Sequence, residues 1–434
     1  MKRNVRIVLS LIVVLSMLLA ACGTGAGGGG GGTAPAPAAP AAQATPAPEA
    51  GVSPVSMEFF LIKVQALTVH EEMQRLFQEE NPHVTINFVA TPDAETAMFA
   101  RIAAGDVPDI MNTFPTMLTY RIMMDDGLFV DLTGQPFFDR IPADIQELSL
   151  HNGRQFSIPI AMSSYGVYYN IDFFAEHGLE IPTTYPEFLA LAETIRGLGV
   201  TPLALYGRAA GTIGQMVERF IGILENDSDS FFRNIAQGNE DIWARPEVRI
   251  LGETLLDMRN ISQADVMAFD QDQAIAEFIT GRAAMIIGGT WFTATMMETA
   301  PDLNFSMFAL SNPMGPFGLP ISIDTAWSIY SGAACIDTAL AKMEFLTRPE
   351  IAQMYADIEG SPNVVQGVQF NTTQLENINA NINDPALNVF LTPVNFWPPG
   401  FRARWQEYGQ LLLIDGDVDN FISNTYRVIN EFYD

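Results

Sequence analysis

The side chain in this sequence best placed to hold a ligand is Trp291. It closes the run Gly281-Arg282-Ala283-Ala284-Met285-Ile286-Ile287-Gly288-Gly289-Thr290-Trp291, which reads as a buried strand, then glycines that free the backbone, then a large flat ring. An aromatic face stacks on the C–H face of a pyranose ring while flanking polar groups bind its hydroxyls, so a concave site gains both grip and orientation. The local sequence leaves core packing open as the other role for this tryptophan. Trp397 lies in the rigid loop Asn395-Phe396-Trp397-Pro398-Pro399-Gly400, where it either faces a ligand or plugs a seam between domains. Tyr206, at an expected strand end beside Gly207, has a similar claim, while Trp243, Trp327 and Trp405 read as structural.

Catalytic chemistry finds little support. The four histidines, His70, His83, His151 and His177, fall on separate expected elements. None forms an H-E-x-x-H pattern and no Cys/His spacing suits zinc, so surface or capping roles are expected and no metal. No G-x-x-x-x-G-K-[ST] loop or strand-bound G-x-G-x-x-G is present, and no cofactor is expected. A G-x-S-x-G elbow is also missing. A glycosidase needs two convergent carboxylates at a set separation, and among 50 acidic residues neighbours arise by chance. The chain is therefore expected not to be an enzyme.

The elements that must position these residues read as alternating strands and helices. Ser56 to Ile62 suits a strand and Gln65 to Glu79 a helix, with Leu67, His70, Met73 and Phe77 on one face. Val84, Ile86 and Phe88 alternate as a strand does, Ala94 to Ala104 suits a helix, and Asp109-Ile110-Met111 a short strand. A second set follows Ile158-Pro159-Ile160: strand Val167 to Asn170, helix Tyr185 to Gly197 and strand Thr201 to Tyr206. Further helices are expected at Gly214 to Leu224, Glu247 to Arg259, Gln271 to Ile279 and Ala339 to Leu346, with a last one from Arg402 broken near Asp415-Gly416-Asp417. This order predicts an α/β fold with a mostly parallel sheet whose strand ends form a binding edge.

The first fifty residues give an address. Lys2, Arg3 and Arg6 precede the apolar run Ile7 to Leu19, the order of a secretory signal. Leu18-Leu19-Ala20-Ala21-Cys22 resembles the lipobox of bacterial lipoproteins, which implies cleavage before Cys22 and a lipid on its sulfur. Residues 1–21 then form a signal peptide and 22–54 a Gly/Ala/Pro tether. With Cys22 lipidated, Cys335 has no disulfide partner and reads as a small core residue. Lys+Arg number 22 against 50 Asp+Glu, and removing Lys2, Arg3 and Arg6 leaves 19. So acidic a chain is not expected to bind nucleic acid. Only two lysines, Lys63 and Lys342, remain in the mature protein.

Several stretches, in order, resemble the extracellular solute-binding proteins of bacterial carbohydrate ABC importers, the sugar-binding lipoprotein group related to maltose-binding protein. They are Ala103-Ala104-Gly105-Asp106-Val107-Pro108-Asp109-Ile110, Ile158-Pro159, Gly166-Val167-Tyr168-Tyr169-Asn170, Pro182-Thr183-Thr184-Tyr185-Pro186-Glu187-Phe188, and Gly281 to Met285 with Gly289 and Trp291. The resemblance runs from Ser56 to the C-terminus. It implies a two-lobed periplasmic-binding-protein-like fold with hinge crossovers and a ligand cleft between the lobes. The implied lobes are 55–162 plus 322–366 and 163–321 plus 367–434, with crossings near Met162-Tyr165, Leu319-Asp324 and Val364-Phe370.

By position it makes Trp291 a stacking residue and Thr113, Phe114, Ser163, Ser164 and Tyr206 ligand contacts, with Asp109 bracing a strand end. Ser163 and Thr113 stand where the maltose-binding member has an acidic contact and a tryptophan, so a maltose-like subsite pattern does not carry over. The implied function is capture of a sugar or oligosaccharide and its delivery to an ABC permease, by a monomer lipid-anchored through Cys22 to the outer face of the cell membrane. A receptor for a non-sugar solute and a surface carbohydrate-processing enzyme are the alternatives.

Overall fold

The computed structural model describes residues 53–63, 66–91, 94–369 and 387–433; the expected signal peptide, Cys22 and the expected tether up to residue 52 lie outside them. Nine strands form one curled sheet: β1 (Val55–Leu61), β2 (Val84–Ala90), β3 (Ile110–Thr113), β4 (Ile158–Asn170), β5 (Thr201–Ala204), β6 (Ala283–Gly289), β7 (Phe305–Ala309), β8 (Gly318–Ile329) and β9 (Asn388–Leu391). Their order is β2-β1-β3-β8-β4-β6-β5, with β7 also on β4 and β9 on β8.

The expected α/β class holds, but the sheet is mixed where a mostly parallel one was expected. β1 pairs parallel with β2 and β3, β5 with β6 and β8 with β9, while β4 and β8 run antiparallel to each other and to their other neighbours. The cause is that two long strands thread the whole molecule. In β4, residues 158–164 pair with β8 and residues 165–170 with β6 and β7. The expected strand covered only Val167 to Asn170; a proline inside a strand removes a ladder donor, and Pro159 disguises the longer element. Pro159 is accommodated by register shifts on either side of Ala161. Pro320 in β8 sits opposite Phe390 of β9, the short strand at the margin of the sheet.

Buried side chains gather on either side of these two strands. One core runs from Tyr165 through Phe220, Ile286 and Trp405 to Ile429. The other holds Met57, Phe77, Trp327 and Tyr355, with a smaller cluster around Phe60 and Tyr120 beside it. β4 sends Ile158 and Ile160 to the second core and Tyr165 and Val167 to the first; β8 sends Trp327 and Leu319 the same two ways.

Helix ends follow local chemistry. Thr184 and Glu187 form a capping box that starts Tyr185–Gly197, and Asp270 with Gln273 does the same for Gln271–Ile279. Gly416, at φ 73°, ends Phe401–Asp415 in the left-handed conformation, and Val418–Tyr433 begins beyond it. Cys335 is half-buried against the second core. Two expectations fail. His70, expected at the surface or as a cap, is buried among Phe59, Phe88, Trp327 and Tyr355 rings, and burial pushes its imidazole down to about 3. Trp243, expected to be structural, is 53% exposed.

Candidate functional site

A cavity of about 650 Å³ opens where the two cores meet. Its first wall comes from the β1 end and the segment after β3, with Lys63, Phe114, Thr116 and Met117; Glu95 joins them from the helix Ala94–Ala103. The opposite wall carries Gln215, Glu218 and Arg219 from the helix Ala210–Leu224, and Trp291 from the β6 end. β4 and β8 form the floor with Ser163, Ser322 and Asp324. Thr116 Oγ1 donates to Asn395 Oδ1 at 2.9 Å and so ties the first wall to the loop before Phe401–Asp415. Among the described residues no group of three or more His, Cys, Asp or Glu could hold a metal.

Trp291 is half-buried and lines the cavity. Gly288 and Gly289 matter here for space: a Cβ on Gly289 would meet the Trp291 ring and one on Gly288 the Phe292 ring. The indole then tilts against Tyr165, with centroids 5.9 Å apart, and the Arg219 guanidinium carbon lies 5.7 Å from its ring centre. Tyr165 is 4.7 Å from the same guanidinium, and burial pushes its phenol up to about 12 against the pull of that cation.

Of the other residues singled out from sequence, Phe114 and Ser163 also line this cavity. The remaining four do not. Ser164 donates its backbone N–H to Thr290 Oγ1, bracing the turn that presents Trp291. Thr113 is fully buried with Oγ1 2.9 Å from Ser328 Oγ, and Asn112 donates to the Ala326 carbonyl, so both fasten β3 to β8. Tyr206 is fully buried with its hydroxyl 3.4 Å from that of Tyr165. Trp397 packs among Phe232, Phe401 and Trp405, donates Nε1–H to Ser228 Oγ, and lines a neighbouring cavity of about 270 Å³. The two cavities share Glu95, Met117, Val394 and Arg402. Asp109 accepts the Glu58 N–H at 2.9 Å and braces a strand end, as expected.

Two charged clusters escaped the sequence reading. Lys63 bonds Asp324 at 2.5 Å and also pairs with Glu359, all three being buried. Burial alone would push the Lys63 ammonium down, but the two carboxylates outweigh it and hold the group above the usual lysine range. Burial raises the Glu359 carboxyl in turn. Facing them, Glu218 pairs with Arg219 and with Arg402 Nε, the latter at 2.8 Å. The available signals were slight: Lys63 is one of three lysines in the sequence, and Glu218-Arg219 is a charged pair in a largely apolar helix.

Comparison with known proteins bears on the family and the fold. The family model described as bacterial extracellular solute-binding protein matches residues 64–353. The multiple sugar-binding protein of Streptococcus mutans is 26% identical over 323 residues, covering 73% of this chain and 76% of that protein. Among solved structures, the solute-binding protein RafE in complex with raffinose superposes with a TM-score of 0.80 at 23% identity, covering 87% of this chain and all of the other. A stachyose complex of a Bacillus licheniformis sugar transporter gives 0.72 at 16% identity, with 87% and 99% covered. These structures share the fold.

Proposed function

Because the chain belongs to the bacterial extracellular solute-binding protein family, we propose that it is the receptor of a carbohydrate ABC importer. It captures a sugar or oligosaccharide in the cavity between its two cores and passes it to the transmembrane subunits of a permease. It is a binding protein and not an enzyme. The observation that carries this reading is Trp291, a half-buried indole held over a cavity whose other groups are largely polar. A flat apolar surface ringed by donors and acceptors suits a pyranose, and about 300–1,000 Å³ is the size range of small-ligand sites.

In this reading the lobes are 55–162 plus 322–366 and 163–321 plus 367–434, and the hinge lies in β4 and β8, the strands that feed both cores. Closure removes ligand hydroxyls from water, and each must be offset by a hydrogen bond inside, which is the origin of discrimination among sugars. Trp291, Phe114 and Ser163 touch the ligand. Ser164, Thr113, Tyr206 and Trp397 hold the walls in place. The relatives' own names support the ligand class, since they speak of multiple sugars, raffinose and stachyose.

The chain is exported, and we further propose that Cys22 carries its lipid anchor, two acyl chains being enough to retain a protein at a bilayer. Cys22→Ala should release the protein into the medium with ligand affinity unchanged; a variant that still pellets with washed membranes removes the anchor from the reading. Binding itself is tested by thermal shift against a sugar panel, because a ligand specific to the folded state raises its apparent stability by mass action. Product analysis after prolonged incubation should return the sugar intact, and cleavage products would favour the enzyme alternative.

A further inference from the structure

From the cluster on the Trp291 wall we infer that the ligand carries a carboxylate, held by Arg219, so that the sugar is a uronate or an oligosaccharide containing one; this rests on the sugar-binding reading. The cluster is unbalanced: two guanidiniums, Arg219 and Arg402, share the single carboxylate of Glu218. Both protein hydrogen bonds of Arg219 leave from Nη1, to the Gln215 carbonyl at 3.0 Å and to Glu218. Its Nε is buried and unpartnered among the described residues. The Nε–H and Nη2–H edge is the fork that matches the two oxygens of a carboxylate. The residue lines the cavity while only 7% exposed. The Tyr165 and Trp291 rings, centred 4.7 and 5.7 Å from its guanidinium carbon, attract its charge.

A buried cation needs a partner far more than an exposed one does, and this decides among the charges in the cavity. Glu95 accepts from the Tyr120 hydroxyl at 3.1 Å, Asp324 from Lys63, and Glu218 from both arginines. Asp272 stands exposed in water, where its charge costs little. Arg219 alone combines deep burial, an unpartnered Nε–H and a place in the wall. Two more buried atoms on cavity-lining residues also lack protein partners, Gln215 Oε1 and Asn395 Nδ2.

The test is calorimetric titration with matched pairs: glucuronate and glucose, galacturonate and galactose, digalacturonate and galactobiose, with glutarate as a carboxylate that is not a sugar. At least one acid should bind about 10- to 100-fold more tightly than its neutral partner, the range expected of a charged hydrogen-bonded pair. Arg219→Met should abolish that preference while retaining the wild-type melting temperature to within a few degrees, and Arg219→Lys, which keeps the charge but not the fork, should restore part of it. Equal or tighter binding of the neutral partner overturns the inference and leaves the sugar reading intact. Tight glutarate binding with no uronate bound keeps the carboxylate and removes the sugar. An acid preference unchanged in Arg219→Met assigns the anion elsewhere and overturns the inference, and a panel in which nothing binds overturns both.

Discussion

The two buried charged clusters that face the cavity are built alike and signed oppositely. On one wall an ammonium, Lys63, sits between two carboxylates, Asp324 and Glu359; on the other a carboxylate, Glu218, sits between two guanidiniums. Both are enclosed, the side chains of Lys63 and Glu359 being 8% and 0% exposed and those of Arg219 and Glu218 9% and 1%, and the first joins the β1 end, the β8 crossing and the end of the helix Pro349–Glu359. The second leaves the Nε of one guanidinium without a protein partner. Similar ingredients therefore leave opposite surpluses, one carboxylate in the first cluster and one guanidinium in the second, and the surplus guanidinium carries an unpartnered Nε.

The largest effect should come from breaking the pin. Lys63→Met leaves two carboxylates buried without a cation and should lower stability by about 3–5 kcal/mol in urea denaturation; a loss below 1 kcal/mol would place Lys63 with the ligand instead of the fold. In the wild type the raised Lys63 value means this stabilisation is present below pH 10.5 and is lost only as the pH climbs through the folded-state value.

Lys342 sharpens the contrast, being as buried as Lys63 but without a carboxylate. It bonds Gln74 Oε1 at 3.1 Å, lies over the Phe77 and Phe345 rings, and burial pushes it down to about 7. Between pH 7 and 10.5 the unfolded chain binds the proton that the folded chain has released, so stability rises with pH through that window. Relative to Lys342→Met, the wild type should gain on the order of 1–3 kcal/mol between pH 6 and 9. Parallel pH profiles for the two proteins would contradict the depressed value.

The smallest effect concerns the bond between the walls. Thr116→Ala removes the donor to Asn395 and should weaken sugar affinity about three- to tenfold, in line with one lost hydrogen bond, without changing the melting temperature of the free protein by more than a few degrees. Unchanged affinity would mean that the Thr116 contact plays no part in closure.

Much of the frame was legible because it is written locally. Thr184 with Glu187 and Asp270 with Gln273 announce their helices, and Asp415-Gly416-Asp417 marks the break between the last two. β4 and β8 were not, since Pro159 and Pro320 are poor strand residues and only distant partners make those segments strands. The site divides the same way. Trp291 was visible because paired glycines and a ring follow an apolar run. Thr113 and Tyr206 stand at strand ends, where the register decides which way a side chain points, and one residue of slip reverses it; both turn inward. The charged clusters join residues as far apart as Lys63 and Asp324, which no local pattern relates.

The central claim is that a sugar binds against Trp291. Calorimetric titration of the sugar that gives the largest thermal shift, into the wild type, Trp291→Ala and Trp243→Ala, tests it most directly. The wild type should bind one equivalent, Trp291→Ala should lose about tenfold or more in affinity, and Trp243→Ala, altered at an exposed tryptophan outside the cavity wall, should match the wild type. Equal affinity in the wild type and Trp291→Ala would contradict the claim.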